Sequence, residues 1–544
     1  MPFKYVIIPP SEGEYEPEGV PLTRPFRQFL YNRLRDGLDL SALNLRRGYD
    51  PLLMEGMEEA VERVKRAIRR GERILIHGDY DTDGLTALSL MFYALAWVGA
   101  DVVPFVPDRF TDGYGLSRRG VIRARELGAK VILTVDCGVS SHREVAMARE
   151  MGIDVIITDH HQLPTDLPEA VVVHPNLGAY PYTGLTGVGV ALKFAIALYE
   201  ALGEDKGKLY HLLDLVAVGT VADVGSMLGE NRLLVKHGLY LMNRGIESGG
   251  KIGNDGLLAV IRRSRAGYPV GAWHVSWLIA PRINAAGRMG RTDVALNLLL
   301  ANRRERAMAW AEELERLNDQ RKRKQEKVLQ ALRGRVNHSS PIVFVVSGDV
   351  DEGIAGIVAI RLMEEFGKPT AVVSVSDGVA KGSMRSIAPF NVYEALKSAE
   401  GLFSENENFG GHTLAGGFRI REEKLDDLRR ALESYARSVS VNGEFVRTVK
   451  VDAYLKVEEM DHSFWEDMAR FRPYGHGFPS PVFALRLKDR PTVLNGPTTY
   501  LEHYEKRRHF RLRVLNPPIA GEEVVVTNLR FKNGVVFGDV IGSL

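Results

Sequence analysis

The sequence predicts a multidomain α/β chain: a mostly parallel-sheet domain, a long connecting helix, a smaller α/β domain and a C-terminal β-barrel. Three observations carry that reading. At 544 residues the chain is too long for one hydrophobic core. From residue 71, short β-branched runs alternate with helical patterns, the signature of a parallel sheet with helices on both faces. The last hundred or so residues change to short alternating strands separated by turns, which suits a small barrel.

The N-terminal segment, residues 1–50, opens on "MPFKYVIIPPSEGEYEPEG" and continues as a basic stretch of short helices. Residues 51–300 form the first α/β domain. Its strands are "RILIHG", "DVVPFVP", "KVILTVDCG", "DVIITDHH" and "AVVVHP", and helical patterns such as "LTALSLMFYALAWVGA" lie between the earlier ones. "VGVALKFAIALYEALG" and "LYHLLDLVAVGTVADVG" extend it as helices. Residues 301–337 are glycine-free until their end and dense in Arg, Glu, Lys and Leu. As one helix they reach roughly 50 Å at 1.5 Å per residue. Residues 338–442 are a second α/β unit, from "IVFVVSG" to "KLDDLRRALESYARS", and residues 443–544 are the barrel.

Composition excludes several classes. Net charge is only +2, so any nucleic-acid role must come from local basic patches. The single cysteine, Cys137, rules out an internal disulfide and any multi-cysteine zinc site. No apolar run has the length of a membrane span, and the N-terminus has no signal-peptide core. The expectation is a soluble cytoplasmic protein with no membrane partner.

The chemistry concentrates where strands meet loops. The first strand ends in "HGDYDTDG", placing His77, Asp79, Asp81 and Asp83 at every second position. A later strand ends in Asp136, the next in Asp159, His160 and His161, and Asp223 follows an apolar stretch further on. In open α/β sheets, ligands bind outside the carboxyl ends of the strands, so these groups can share one rim. Carboxylates packed so densely repel one another unless cations sit among them. Carboxylates with imidazoles and no thiolate favour manganese or magnesium over structural zinc. The count suits two divalent cations bridged by one carboxylate, the arrangement of phosphoester-cleaving sites.

In this order "HGDYDTDG", "DCG", "TDHH" and "VADV" resemble the successive motifs of the DHH phosphoesterase superfamily. "GSMRS" with "GGHTLAGGF" resembles the DHH-associated domain that partners it. With "PDRFTDGYGLS", "PRINAAGRM", the charged connector and "RPYGHGFPSPVF", the chain is similar to the bacterial RecJ family of single-strand-specific exonucleases over roughly residues 45–544. The resemblance implies that His77, Asp81 and Asp136 hold one metal, and that Asp83, Asp136, His160 and Asp223 hold the other. Manganese is the expected ion and magnesium the alternative. It further implies that His161 faces the scissile phosphate and that Asp79 orients a ligand or water. Asp159 is expected to be structural, and Cys137 a buried filler. Ser383, Arg385, Gly411 and His412 would hold the terminal nucleotide, with Arg109, Tyr114, Asn284 and Arg288 on an opposing wall. Asp349 stands where the family usually has Trp, and Gly416 where it commonly has Ala.

The resemblance makes the C-terminal barrel OB-like. There "YLEHYEKRRHFRLRV" interleaves Tyr500, Tyr504 and Phe510 with Lys506, Arg507, Arg508 and Arg511, a composition that suits single strands. The implied activity is 5′-to-3′ hydrolysis of single-stranded DNA by two metals in repair and recombination, with a single-strand-binding protein and a helicase as partners. The alternatives are a phosphodiesterase for short RNA or cyclic dinucleotides, a pyrophosphatase of the same superfamily, and a scaffold that has lost its metals. The last is disfavoured because every proposed ligand is present.

Overall fold

Five short runs rich in Val and Ile pair in the computed structural model as a wholly parallel sheet. They are β1 (Ile74–His77), β2 (Val102–Phe105), β3 (Val131–Val135), β4 (Asp154–Thr158) and β5 (Val171–Val173), arranged in the order β2-β1-β3-β4-β5. Every residue of β1 and β3 is buried, as expected for strands covered on both faces. Helices α1 (Thr82–Trp97), α2 (Arg118–Glu126) and α3 (His142–Glu150) follow β1, β2 and β3 respectively. Next in the chain come α4 (Gly187–Leu202) and α5 (Leu213–Ala222). This strand order places a topological switch point between β1 and β3, where chain connections leave in opposite directions and open a crevice. The motifs after β1 and β3 both sit at its mouth.

The structure describes residues 4–405, 407–441, 444–487, 492–494, 500–505, 508–515, 523–532 and 535–543. The chain divides into two compact units. The first comprises Leu40–Arg321 with Pro473–Pro479, and the second Met1–Asp39, Lys322–Arg472 and Ser480–Leu544. Helices continue through the first unit to α6 (Ala280–Arg288), reached through a π-helical turn at Val275–Ile279. The connecting helix α7 runs unbroken over Arg304–Arg333, 30 residues, or about 45 Å.

In the second unit, β6 (Val343–Val346), β7 (Thr370–Ser376), β8 (Val379–Arg385), β9 (Asn408–Gly411) and β10 (Ala415–Arg421) form a mixed sheet in the order β9-β10-β8-β7-β6. Helix α8 (Glu352–Phe366) lies between β6 and β7 in sequence. The C-terminal strands form one seven-stranded sheet, from Ala453–Lys456 at one edge to Thr492–Leu494 at the other. Among the described residues it does not close into a barrel, although its hairpins suit an OB-like domain.

The N-terminal segment is not one piece. Strand Lys4–Ile8 pairs in parallel with Val446–Lys450, and helix Arg24–Arg35 buries Phe26 and Phe29 against Phe464, Phe471 and Phe483. Arg33 clamps Asp452, and Thr23 donates to Asp467 at 2.8 Å. Those aromatic rings give residues up to 39 their home in the second unit, while residues from 40 onward belong to the first.

Candidate metal centre

Strand β1 delivers the first motif. Asp81 caps α1, its Oδ1 accepting from the N–H groups of Asp83 and Gly84 at 2.9 and 3.1 Å. Asp83, fully buried, accepts from Gly187 and Val188 at 2.7 and 3.1 Å, so the N-terminus of α4 holds a second carboxylate. Gly84 is required by close packing, since a Cβ there would lie 2.7 Å from the backbone of Asp79. Strand β3 delivers Asp136 in the left-handed region, at φ +62°. Aspartate tolerates that conformation better than most residues, yet it remains a strained placement of the kind that collects at functional sites. From α4, Gly187 leaves room for it: a Cβ there would lie 2.3 Å from Asp136 Oδ1.

Three overlapping groups of ligand atoms result, each within 4.8 Å: Asp79, Asp81 and Asp136; Asp83, His160 and Asp223; and Asp136, His160 and His161. His160 Nε2 stands 3.1 Å from Asp136 Oδ1, 3.6 Å from Asp223 Oδ2 and 3.9 Å from Asp83 Oδ2. Asp223 is the C-cap of α5, within the segment expected to be helical, and there the helix dipole disfavours a negative charge. One placement differs from expectation. His77, expected among the ligands, belongs to none of the three groups. Its Nε2 accepts from the Ser117 N–H at 3.2 Å and its Nδ1 is 3.7 Å from the Cys137 sulfur, in a fully buried position under Gly120. Asp79, rather than His77, lies grouped with Asp81 and Asp136.

Electrostatics show what the cluster lacks. Burial and then the charge of neighbouring carboxylates push Asp79 up to about 8 and Asp223 to about 7, and hold Asp83 and Asp136 well above the carboxylate range. Burial drives His160 down to about 4, leaving its imidazole neutral. Asp79 Oδ1, Asp136 Oδ1 and His160 Nε2 are buried and make no hydrogen bond. Orphaned oxygen and nitrogen donors converging this closely fit hard divalent cations.

His161 is set apart by its partner. Burial alone would lower its pKa, but the hydrogen bond to the Asp159 carboxylate raises it to about 9. Asp159 is fully buried and accepts at Oδ1 from His161 Nδ1 at 2.8 Å and from the backbone N–H groups of His160 and His161. Burial would raise Asp159, and these bonds bring it below its ordinary value. His174, a buried residue that sequence reasoning passed over as part of a strand, lies with Nε2 2.8 Å from the His161 carbonyl.

The expected wall residues gather around two of the motifs, Tyr114 at His161 and the other three at Tyr80 and Thr82. Tyr114 OH lies 2.8 Å from His161 Nδ1. Arg109 stacks over the Tyr80 ring at 5.1 Å, and Arg288 adds a second positive charge near that phenol. On α6, Asn284 accepts at Oδ1 from both the N–H and hydroxyl of Thr82, both at 2.9 Å, so it also braces the start of α1.

In the second unit, β8 turns Lys381, Ser383 and Arg385 to one face. A Cβ at Gly356 of α8 would lie 2.8 Å from the Arg385 guanidinium and 3.1 Å from the Ser383 hydroxyl. Strand pairing sets Arg385 opposite Ala415, whose carbonyl accepts from the His412 N–H at 2.7 Å across a tight turn that leaves Gly411 and His412 exposed. Gly416 is built into this turn: a Cβ there would meet the Gly410 carbonyl and Val392, both at 2.7 Å. Asp349 is exposed, its N–H donating to Ser347 Oγ at 3.3 Å. On the C-terminal sheet, Arg511 stacks over Tyr500 at 5.0 Å, whereas Phe510 is fully buried and cannot meet a base. Lys506 and Arg507 lie outside the described residues, as do the side chains of Tyr504 and Arg508.

Comparison with known proteins agrees with this geometry. Residues 73–220 match the DHH family, N-terminal domain, and residues 339–438 the DHHA1 domain. The single-stranded-DNA-specific exonuclease RecJ of Salmonella typhimurium is 35% identical over 497 residues, covering 86% of this chain and 82% of that protein. RecJ from Bacillus subtilis and from Thermus thermophilus are 35% and 37% identical over 80% of this chain, which spans 54% and 62% of their lengths. A crystal structure of Thermus thermophilus RecJ in complex with Mn2+ superposes with a TM-score of 0.79 at 32% identity, covering 96% of this chain and 76% of that one.

Proposed function

We propose, on the premise that the chain belongs to the RecJ family of single-stranded-DNA-specific exonucleases, that it removes 5′-mononucleotides from the 5′ end of single-stranded DNA by metal-dependent hydrolysis. The observation that carries this reading is the convergence at the switch point of carboxylate and imidazole atoms from Asp79, Asp81, Asp83, Asp136, His160 and Asp223, of which Asp79 Oδ1, Asp136 Oδ1 and His160 Nε2 are buried without a hydrogen bond. Asp79, Asp81 and Asp136 would hold one divalent cation, and Asp83, His160, Asp223 and the shared Asp136 the other. Such cations, manganese as in the Thermus structure or magnesium, supply Lewis acidity and an activated water when bound.

The chain's own groups supply the rest. Asp159 keeps His161 protonated through neutral pH, so its Nε2 can give a proton to the leaving 3′ oxygen. Ser383, Arg385, Gly411 and His412 hold the terminal nucleotide and its 5′ phosphate, which sets polarity; arginine beside a hydroxyl is a good phosphate clamp. Arg109, Tyr114, Asn284 and Arg288 guide the strand past the metal ligands. Tyr500 under Arg511 offers a stacking face to a more distant base. A single-strand-binding protein and a helicase are the proposed partners, and the cytoplasm the proposed compartment. Among the described residues no helix is long and apolar enough to cross a membrane.

The test is digestion in manganese of single-stranded DNA labelled at the 5′ end or the 3′ end, beside blunt duplex, single-stranded RNA and a dinucleotide, with Asp136→Ala as control. Immediate release of the 5′ label as mononucleotide, resistance of duplex and RNA, and an inert variant are expected. Preference for RNA or the dinucleotide, or first loss of the 3′ label, would overturn the assigned substrate.

A further inference from the structure

Five non-glycine residues among those described adopt positive φ: Asp136, Val224, Arg265, Asp377 and Asn528. Val224, at φ +60°, is the β-branched one, and for such a side chain the left-handed region is a true outlier. It occupies the position just after the C-cap of α5, which helices ordinarily give to glycine. The turn is pinned around it. Val224 N–H donates to the Val221 carbonyl at 3.3 Å and Gly225 N–H to the Thr220 carbonyl at 2.9 Å. Gly225 is itself wedged so that a Cβ would lie 2.7 Å from Thr186 and 3.0 Å from Thr220.

The fold gains nothing visible from valine here. The residue is 62% exposed and so packs into no core, yet glycine would relieve the backbone. Its distinction is position: it follows Asp223, whose carboxylate is 3.6 Å from His160 Nε2. An apolar side chain kept in a strained conformation, in the open, beside a metal-site carboxylate is explained if it touches something apolar that arrives with the substrate.

We infer that Val224 is a specificity-determining contact for the deoxyribose next to the scissile phosphate. The inference rests on the proposed function, in which a phosphodiester is drawn to Asp223 and its neighbours. Consecutive Cα atoms are about 3.8 Å apart. A short side chain one residue from the ligand therefore reaches the sugars bonded to that phosphate before it reaches a base. The C2′ methylene of deoxyribose is an apolar partner for the valine methyls. A ribose 2′-hydroxyl in the same place gives up water and finds no hydrogen-bond partner.

The full-length protein with manganese is compared as wild type, Val224→Gly and Val224→Thr. Each is measured on a 5′-phosphorylated DNA strand, the matching RNA strand, and DNA bearing one 2′-hydroxyl at its terminal nucleotide, together with its melting temperature. Val224→Gly should melt no lower than wild type while its KM for DNA rises and its DNA-over-RNA ratio of kcat/KM falls about tenfold. Val224→Thr keeps the β-branch and so the backbone strain, and should lower the same ratio by improving the ribose-containing substrates. A Val224→Gly protein that melts lower than wild type, or one with KM and ratio unchanged, would overturn the inference. A Val224→Thr ratio equal to wild type would overturn the sugar as the contact. Wild type inactive on every strand would overturn the proposed function and this contact with it; active wild type with unaltered variants overturns the contact alone.

Discussion

Substituting Gly187 by alanine tests whether α4 positions Asp136. The added Cβ would fall 2.3, 2.4 and 2.5 Å from Asp136 Oδ1, Cβ and Cγ. Ordinary contact needs about 3.4 Å or more, so one partner must move by about 1 Å. Neither is free. Asp136 donates its N–H to the Thr158 carbonyl at 2.9 Å and is held at φ +62°, while the Gly187 N–H is committed to Asp83. Overpacking of this kind costs about 1–3 kcal/mol. Alanine's better helix propensity, at most about 1 kcal/mol, offsets only part of it. The larger consequence is geometric: a displacement of about 1 Å at a reacting site can cost about 100-fold in rate. Melting curves across a manganese titration, with kcat/KM on single-stranded DNA, separate the two effects. We expect a modest loss of stability, a weakened manganese response and roughly a 100-fold loss of activity. A Gly187→Ala protein that responds to manganese and cleaves like wild type would refute the claim that the glycine sets the carboxylate.

Four further outcomes follow from the same geometry. Asp136→Asn, an isostere that tolerates positive φ, should raise the melting temperature in a chelator by relieving crowding with Asp83, Asp81, Asp79 and Asp223, and should abolish the rise that manganese gives wild type; calorimetry with and without metal checks both. Asp159→Asn keeps an oxygen to accept from His161 Nδ1 but removes the negative charge that holds the imidazole protonated, and should lower kcat about 10–100-fold with little change in fold, read by steady-state kinetics beside circular dichroism. Gly416→Ala should destabilise by about 1–3 kcal/mol because its Cβ meets a carbonyl and Val392, measurable by urea unfolding. Asp214, buried on α5, has its carboxyl pushed by burial up to about 6, against backbone N–H donors from Asn254 and Leu215. An acid raised in the folded state costs stability as pH climbs from about 4 to about 6 and keeps that cost above it, here about 3 kcal/mol. Asp214→Asn should therefore be more stable than wild type at pH 8, by about 2 kcal/mol after losing one hydrogen bond, and no more stable at pH 4; an equal difference at both pH values would contradict the assignment.

The parallel sheet and its rim were legible because β-branched runs and turn signals are local properties of the chain. The same property hid the placement of His77. In a strand buried on both faces, alternation carries no information about direction, so "ILIHG" does not say that the imidazole turns to Ser117. Asp223 was found by motif order, but its perch at a helix C-terminus depends on where α5 stops, which "VGTVADVG" leaves open. Phe510 is expected among the strand-binding aromatics although its burial was readable: it alternates in step with Leu512 and Val514, all three buried, which puts Arg511 and Arg513 outside. The split of the first fifty residues between two units was not readable, because it is decided by long-range aromatic packing of Phe26 and Phe29 on rings more than 430 residues away.

The metal centre itself explains why its supporting residues escape a reading by motif. Four carboxylates gathered at one rim oppose folding, since each is held above its ordinary pKa by burial and by the others. The fold answers with backbone dipoles and with space rather than with charged side chains. Two N–H groups at the start of α4 face Asp83, two at the start of α1 face Asp81, and Gly84 and Gly187 admit Asp79 and Asp136. No salt-bridging lysine or arginine neutralises these four among the described contacts, so the residual repulsion is left for cations to relieve. A cluster satisfied by its own arginines would be a more stable protein and a poorer metal site.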